Sequence, residues 1–217
     1  MEFLMARPPQ PSVPWIARFT AAAFGALLLL SAAPLYSGSS LSGIPQATER
    51  IKAAAQASSV PYPFVNPEIR IFKEPHRLEL WASGKKIKSY SVSLGQRGLG
   101  DKRISGDHLT PEGRYYVCTR SAQSSFHLFL GISYPSEVSA ERGFRDGLIS
   151  KRERDAILSA NKRKACPPWN GPLGGTVGIH GGGTGSEWTW GCVALENSDV
   201  DELWAACPMG TPILIVP

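Results

Sequence analysis

Two side chains near the C-terminal end have the types and spacing for nucleophilic chemistry. They are His180 and Cys192, in the stretch Gly178 to Leu195, GIHGGGTGSEWTWGCVAL. A free thiol has a pKa of about 8.5, so only a small share is thiolate near neutral pH. An imidazole, with an unperturbed pKa of about 6.5, can take that proton and later return it to a leaving amine. Thr176-Val177-Gly178-Ile179 reads as a short buried strand that delivers His180 to its end. Gly181-Gly182-Gly183-Thr184-Gly185 continues neither a strand nor a helix cheaply, so the chain turns back there. Val193-Ala194-Leu195 is apolar again, which places Cys192 where a loop re-enters the core. The amides of Trp190, Gly191 and Cys192 are then candidate oxyanion donors, each worth roughly 3 to 4 kcal/mol when well placed.

The same residues have plainer readings. A cysteine beside valine is more often a small buried hydrophobe. Zinc held by His180 and Cys192 would lack the CxxC or HxxxH spacing that accompanies such sites. No metal and no cofactor are expected. Four further residues are candidate substrate contacts: His108 in the turn GDHLTPEG, His127 beside Phe126 and Phe129, Tyr134 before Pro135, and Thr189 before the Trp190-Gly191-Cys192 turn. Against them stand a solvated loop for His108 and structural roles for His127 and Tyr134. His76 carries no signal.

These residues need a scaffold, and the pattern supplies a β one. Arg77 to Leu94 alternates polar and apolar residues about Ser83-Gly84 and reads as a hairpin with a tight glycine turn. Arg114 to Thr119 and Phe126 to Ile132 form a second strand pair, preceded by the Thr110-Pro111-Glu112-Gly113 turn, and Thr211 to Val216 closes the sheet. An antiparallel β core follows. Ser150-Lys151-Arg152-Glu153 reads as a capping box opening a helix, with Ile157, Leu158 and Ala160 inward and the charged residues outward. Ser198 to Ala206 reads as a last helix capped by Asn197 or Ser198, with Val200, Leu203 and Trp204 inward.

Three segments in order resemble one family. The His-Gly pair after a strand, with Thr189-Trp190-Gly191-Cys192-Val193-Ala194-Leu195, is similar to the signature of YkuD-type L,D-transpeptidases, the cysteine enzymes of bacterial peptidoglycan. Gly106 to Gly113 resembles that family's GDxxTPxG segment. Leu130-Gly131-Ile132-Ser133-Tyr134-Pro135 resembles a segment of one branch, which includes hydrolases of peptidoglycan cross-bridges. The position before Gly-Cys, often histidine or arginine in the family, is Trp190 here. The resemblance implies a mainly β domain with short helices (α+β), of β-sandwich type, over 67–217. It implies that Cys192 is the nucleophile, His180 the base and then the acid, and the Gly181 carbonyl the orienter of the imidazole. The implied substrates are tetrapeptide stems of peptidoglycan, joined to another stem or to a wall-anchored protein. Hydrolysis of stems or cross-bridges by the same pair is the alternative, and a non-catalytic wall-binding module the remote one. Thiol labelling separates the last, since a dormant cysteine reacts slowly and shows no pKa below about 8.

The remainder of the chain is read from composition. The 217 residues leave one ordinary domain of about 150 residues after an N-terminal extension. Within 1–35, Arg18 precedes an apolar run from Phe19 to Ala33, which reads as a secretory signal or, uncleaved before Pro34, an inner-membrane anchor. Residues 36–66, rich in Ser, Ala and Pro, read as a linker with one spacer helix at Glu49 to Ala57. The expected location is the periplasm or cell wall, where a net charge of +5 suits anionic wall material. No nucleic-acid motif occurs. In an oxidising compartment Cys118, Cys166 and Cys207 invite one disulfide, and sequence does not choose the pair.

Overall fold

The computed structural model describes residues 41–217. The expected leader and the first residues of the expected linker lie outside them.

Eight strands form one curled sheet in the order β3-β2-β1-β8-β4-β5-β6-β7. Their ranges are β1 Glu68–Phe72, β2 Arg77–Ala82, β3 Lys85–Ser91, β4 Gly113–Ser124, β5 His127–Ile132, β6 Gly178–His180, β7 Val193–Ala194 and β8 Pro212–Val216. The hairpin expected about Ser83-Gly84 is β2–β3. Both turn residues have positive φ, 51° and 72°, the conformation that matches the twist of the flanking strands. Leu78, Leu80 and Ala82 alternate into the core, as a half-buried strand requires.

The sheet is not wholly antiparallel. β8 runs parallel to β1 and antiparallel to β4, and β6 runs parallel to β7. β4 belongs to both halves: Gly113 to Tyr116 pairs with β8, whereas Val117 to Ser124 pairs with β5 through two register shifts. Such bulges add twist and bend the strand. The curl brings the two ends of the strand order together, because Ser93, just past β3, exchanges two hydrogen bonds with Ala194 of β7 (2.9 and 2.8 Å).

Four helices among the described residues cover this sheet: α1 Ile44–Ala57, α2 Glu137–Arg145, α3 Lys151–Lys162 and α4 Asn197–Ala206. The Ser150 capping box of α3 is present as expected. α2 was not anticipated; Ser136 caps it, its side chain accepting from the Ser139 amide. The expected cap of α4 is corrected. Glu196 occupies that position, and Asn197 lies inside the first turn with its side chain turned to the glycine loop.

The linker reading also needs correction. α1 begins five residues before the expected spacer helix and docks rather than spacing, with Ala47, Ile51 and Ala55 buried against the core. These three recur every fourth residue, one face of a helix, but alanine in a Ser/Pro-rich context hides that stripe. Arg50 Nε donates to Glu202 of α4 at 2.5 Å, and Glu202 is buried and also accepts from Lys88 and Tyr90 of β3. The disulfide joins Cys118 of β4 to Cys166 after α3, leaving Cys207 buried and free.

Candidate active site

Parallel β6 and β7 set Ile179 opposite Val193 and His180 opposite Ala194. One residue back, that register puts Cys192 beside Gly178. Side chains alternate along strands, so Cys192 and His180 are diagonal neighbours on one face. They open into one cleft of about 590 Å³, walled by Phe126, Val177, Trp188 and Trp190. Glycine at 178 is required by β5, since a Cβ there would lie 2.3 Å from the Phe129 ring.

His180 is buried, with Nδ1 2.6 Å from the Gly181 carbonyl. A carbonyl only accepts, so Nδ1 carries the proton and Nε2 keeps its lone pair. Phe126 stacks on the ring at 4.9 Å and Trp188 meets it edge-on at 5.6 Å. Burial pulls the imidazole pKa down, and the Gly181 bond opposes this only in part. The Cys192 thiol donates to the Thr176 carbonyl at 3.6 Å. Burial pushes its pKa up, against the Gly178 amide and the Lys102 ammonium, which both favour thiolate. Both directions favour a neutral thiol beside a neutral imidazole at rest.

The turn before Cys192 is held from several sides. Thr189 Oγ1 donates to the Cys192 carbonyl at 2.8 Å and accepts from the Gly191 amide at 3.2 Å. Thr110 Oγ1 reaches the same carbonyl at 3.5 Å. Gly191 has φ +122°, and a Cβ there would stand 2.7 Å from the Leu109 carbonyl oxygen, so only glycine lets the turn approach that loop. One expectation changes: the Gly191 amide is occupied and is not a free oxyanion donor. Thr189 lines the cleft, and its hydroxyl braces the turn. The amides of Trp190 and Cys192 donate to no acceptor among the described residues.

Of the other candidates, His108 does not line the cleft itself but stacks on Trp190, which does, with ring centroids 5.8 Å apart and planes at 11°. His127 and Tyr134 are not at the cleft. His127 Nε2 lies 2.6 Å from Asp201 of α4, tying β5 to that helix. Tyr134 is fully buried, and its hydroxyl donates to the Leu173 carbonyl at 3.1 Å. In both, tertiary partners claim the polar atom.

Sequence reasoning missed the residues that hold the cleft wall. The loop 181–191 is pinned by Asn197, which accepts from the Gly182 amide at 2.9 Å, and by Glu196, which accepts from the Thr184 amide and hydroxyl, both at 2.8 Å. Glu187 accepts from the Leu94 amide at 2.8 Å and lies 2.5 Å from His76 Nε2. His76 gave no signal because its partner is far along the chain. Thr110 was legible as part of the TPEG segment. Among the described residues no group of three or more His, Cys, Asp or Glu is placed to hold a metal ion.

With this geometry in place, comparison with known proteins is specific. The sequence model described as the L,D-transpeptidase catalytic domain, YkuD, matches residues 66–215, more than half of the chain. The chain belongs to the YkuD family. No curated protein sequence matches it. Among solved structures, the helical cell shape determining protein Pgp2 of Campylobacter jejuni is similar over 80% of this chain and 56% of that one, at 18% identity and a TM-score of 0.50. Bd1075 of Bdellovibrio bacteriovorus is similar over 72% of this chain and 49% of that one (22% identity, TM-score 0.44). An L,D-transpeptidase of Xylanimonas cellulosilytica is similar over 76% and 68% (17% identity, TM-score 0.39). This YkuD chain thus spans about half the length of Bd1075 and Pgp2. At 18% identity and a TM-score of 0.50, the likeness to Pgp2 bears on the fold alone, which is the mostly β architecture expected.

Proposed function

We propose that this domain is a cysteine acyltransferase acting on peptidoglycan stem peptides, with transpeptidation as its reaction. The observation that carries this reading is the placement of Cys192 and His180 on one face of adjacent strands, with the His180 Nε2 lone pair left free by the Gly181 bond. When a stem tetrapeptide enters, His180 Nε2 takes the thiol proton as sulfur attacks the carbonyl of the third residue, usually a diaminopimelate. The tetrahedral oxyanion is met by the amides of Trp190 and Cys192. Its collapse breaks the bond to the terminal D-alanine, whose amine leaves with the proton from His180. An amine of a second stem, or of a wall-anchored protein, then attacks the thioester, giving its proton to His180 and returning the thiol.

A neutral resting pair suits this sequence. The thiol loses its proton only as the attack begins, so no buried charge awaits the substrate. The reading also places the protein outside the cytoplasm, in the periplasm or wall, and the Cys118–Cys166 disulfide supports that.

The test is mass spectrometry of disaccharide-tetrapeptide incubated with the full-length chain and with Cys192→Ala. Cross-linked dimer and released D-alanine from the wild-type chain alone are the expected result. Shortened monomer alone would assign hydrolysis instead, and equal activity in Cys192→Ala would overturn the cysteine mechanism.

A further inference from the structure

Trp190 is three-quarters exposed although it lines the same cleft as the nucleophile. An exposed indole on the wall that holds the candidate nucleophile is a surface that a ligand of this cleft can cover. Its orientation is fixed. One face stacks on His108 at 11° between planes, which leaves the other face bare. Gln96 ties His108 to the turn that carries Trp190: its backbone amide donates to the Thr189 carbonyl at 3.0 Å, and its side-chain amide lies 2.6 Å from His108 Nδ1. Gly95 permits this packing, since a Cβ there would lie 2.3 Å from the His108 carbonyl oxygen. The pair is a preorganised flat platform, so little side-chain freedom is lost when a ligand covers it.

The shape and rim select the ligand. A flat aromatic face with hydrogen-bonding groups at its edge, here the outward edge of His108 and the Gln96 carboxamide, matches a pyranose ring, which presents axial C–H groups on one face and hydroxyls around its perimeter. An aliphatic peptide side chain would be better served by the groove that holds Cys192.

We propose that Trp190, supported by His108 and Gln96, is a saccharide subsite that binds the sugar ring carrying the donor stem, and so determines specificity for glycan-linked over free stem peptide. This rests on the peptidoglycan reading of the cleft. Trp190, which stands where the family often has histidine or arginine, then extends recognition from the peptide to the glycan.

Two measurements test it. In the full-length Cys192→Ala protein, the indole N–H resonance of Trp190, assigned by its loss in an added Trp190→Ala change, is followed while the peptide-free N-acetylglucosaminyl-N-acetylmuramic acid disaccharide is titrated. A saturating shift of that resonance is expected. No shift, or an equal shift with glycan-free tetrapeptide, overturns the subsite. In the active protein, the ratio of kcat/KM for disaccharide-tetrapeptide to that for free tetrapeptide is expected to fall about tenfold in Trp190→Ala and to be largely kept in Trp190→Phe, which retains a stacking face. An unchanged ratio in Trp190→Ala overturns the proposal. Absence of turnover on both substrates would instead sink the acyltransferase reading, while the titration with inert protein still decides the subsite.

Discussion

Residue by residue, the site pairs a sulfur whose proton is held with a base whose lone pair is free. Burial acts on the two in opposite senses, raising the Cys192 thiol and lowering the His180 imidazole. The consequences for pH can be stated. A lowered imidazole pKa keeps the base neutral to lower pH, so the acid limb of kcat/KM is expected below about 6.5, the ordinary imidazole value. Alkylation of Cys192 by iodoacetamide in the free protein should accelerate only above the ordinary thiol range, roughly pH 8.5. An alkylation pKa well below that range would mean a resting thiolate-imidazolium pair and a different first step. Cys207, whose burial pushes its pKa up to about 12, should stay unlabelled until the protein unfolds.

The elements that matter most are the two loops that converge on the Cys192 turn. The loop 101–112 is built around Asp107, which accepts from Lys102 Nζ at 2.7 Å and from the amides of Arg103, Ile104 and Leu109 at 2.7, 3.0 and 3.2 Å. Burial alone would raise the Asp107 pKa, but the ammonium and the three amides outweigh it and the net shift is downward. Lys102 itself is buried, so Asp107→Asn would leave its charge unpaired and is expected to destabilise the protein by about 3 kcal/mol. A carboxylate with a depressed folded pKa contributes above its unfolded value, about 3.9, and loses that contribution as pH falls through the folded value. The melting-temperature gap between wild type and Asp107→Asn should therefore hold at neutral pH and shrink below about pH 4. A gap that persists unchanged at pH 2 would show that the carboxylate charge is not what secures the loop.

For the molecule as a whole, the sheet closes through Ser93 and Ala194, and α1 completes the core beneath α4. Ile51 has no exposed surface, so Ile51→Ala is expected to cost about 2 to 5 kcal/mol, read by denaturant titration. Removing residues 1–66, a cut that composition alone would suggest, strips away the whole helix and should destabilise more than the point change. If the truncated chain were as stable as the full one, α1 would be an accessory and not part of the core.

What the sequence by itself determined was local or carried by residues close together. Ser83-Gly84 announced its hairpin because only a few residues tolerate that turn. Ser150 and Glu153 announced a capped helix, and His180, Gly181 and Cys192 marked one candidate site because they lie close together in a glycine-rich stretch whose order resembles the family signature. What only the tertiary structure decided were partnerships across long separations. His127 was claimed by Asp201, Tyr134 by Leu173 and Glu187 by His76, while the alanine face of α1 acquired meaning only against α4. The Gly191 amide, free in the sequence reading, was spent on Thr189 once the turn closed. A side chain's type limits the bonds it can make, but which bond it makes depends on what the fold brings within about 3 Å, and no spacing along the chain encodes that directly.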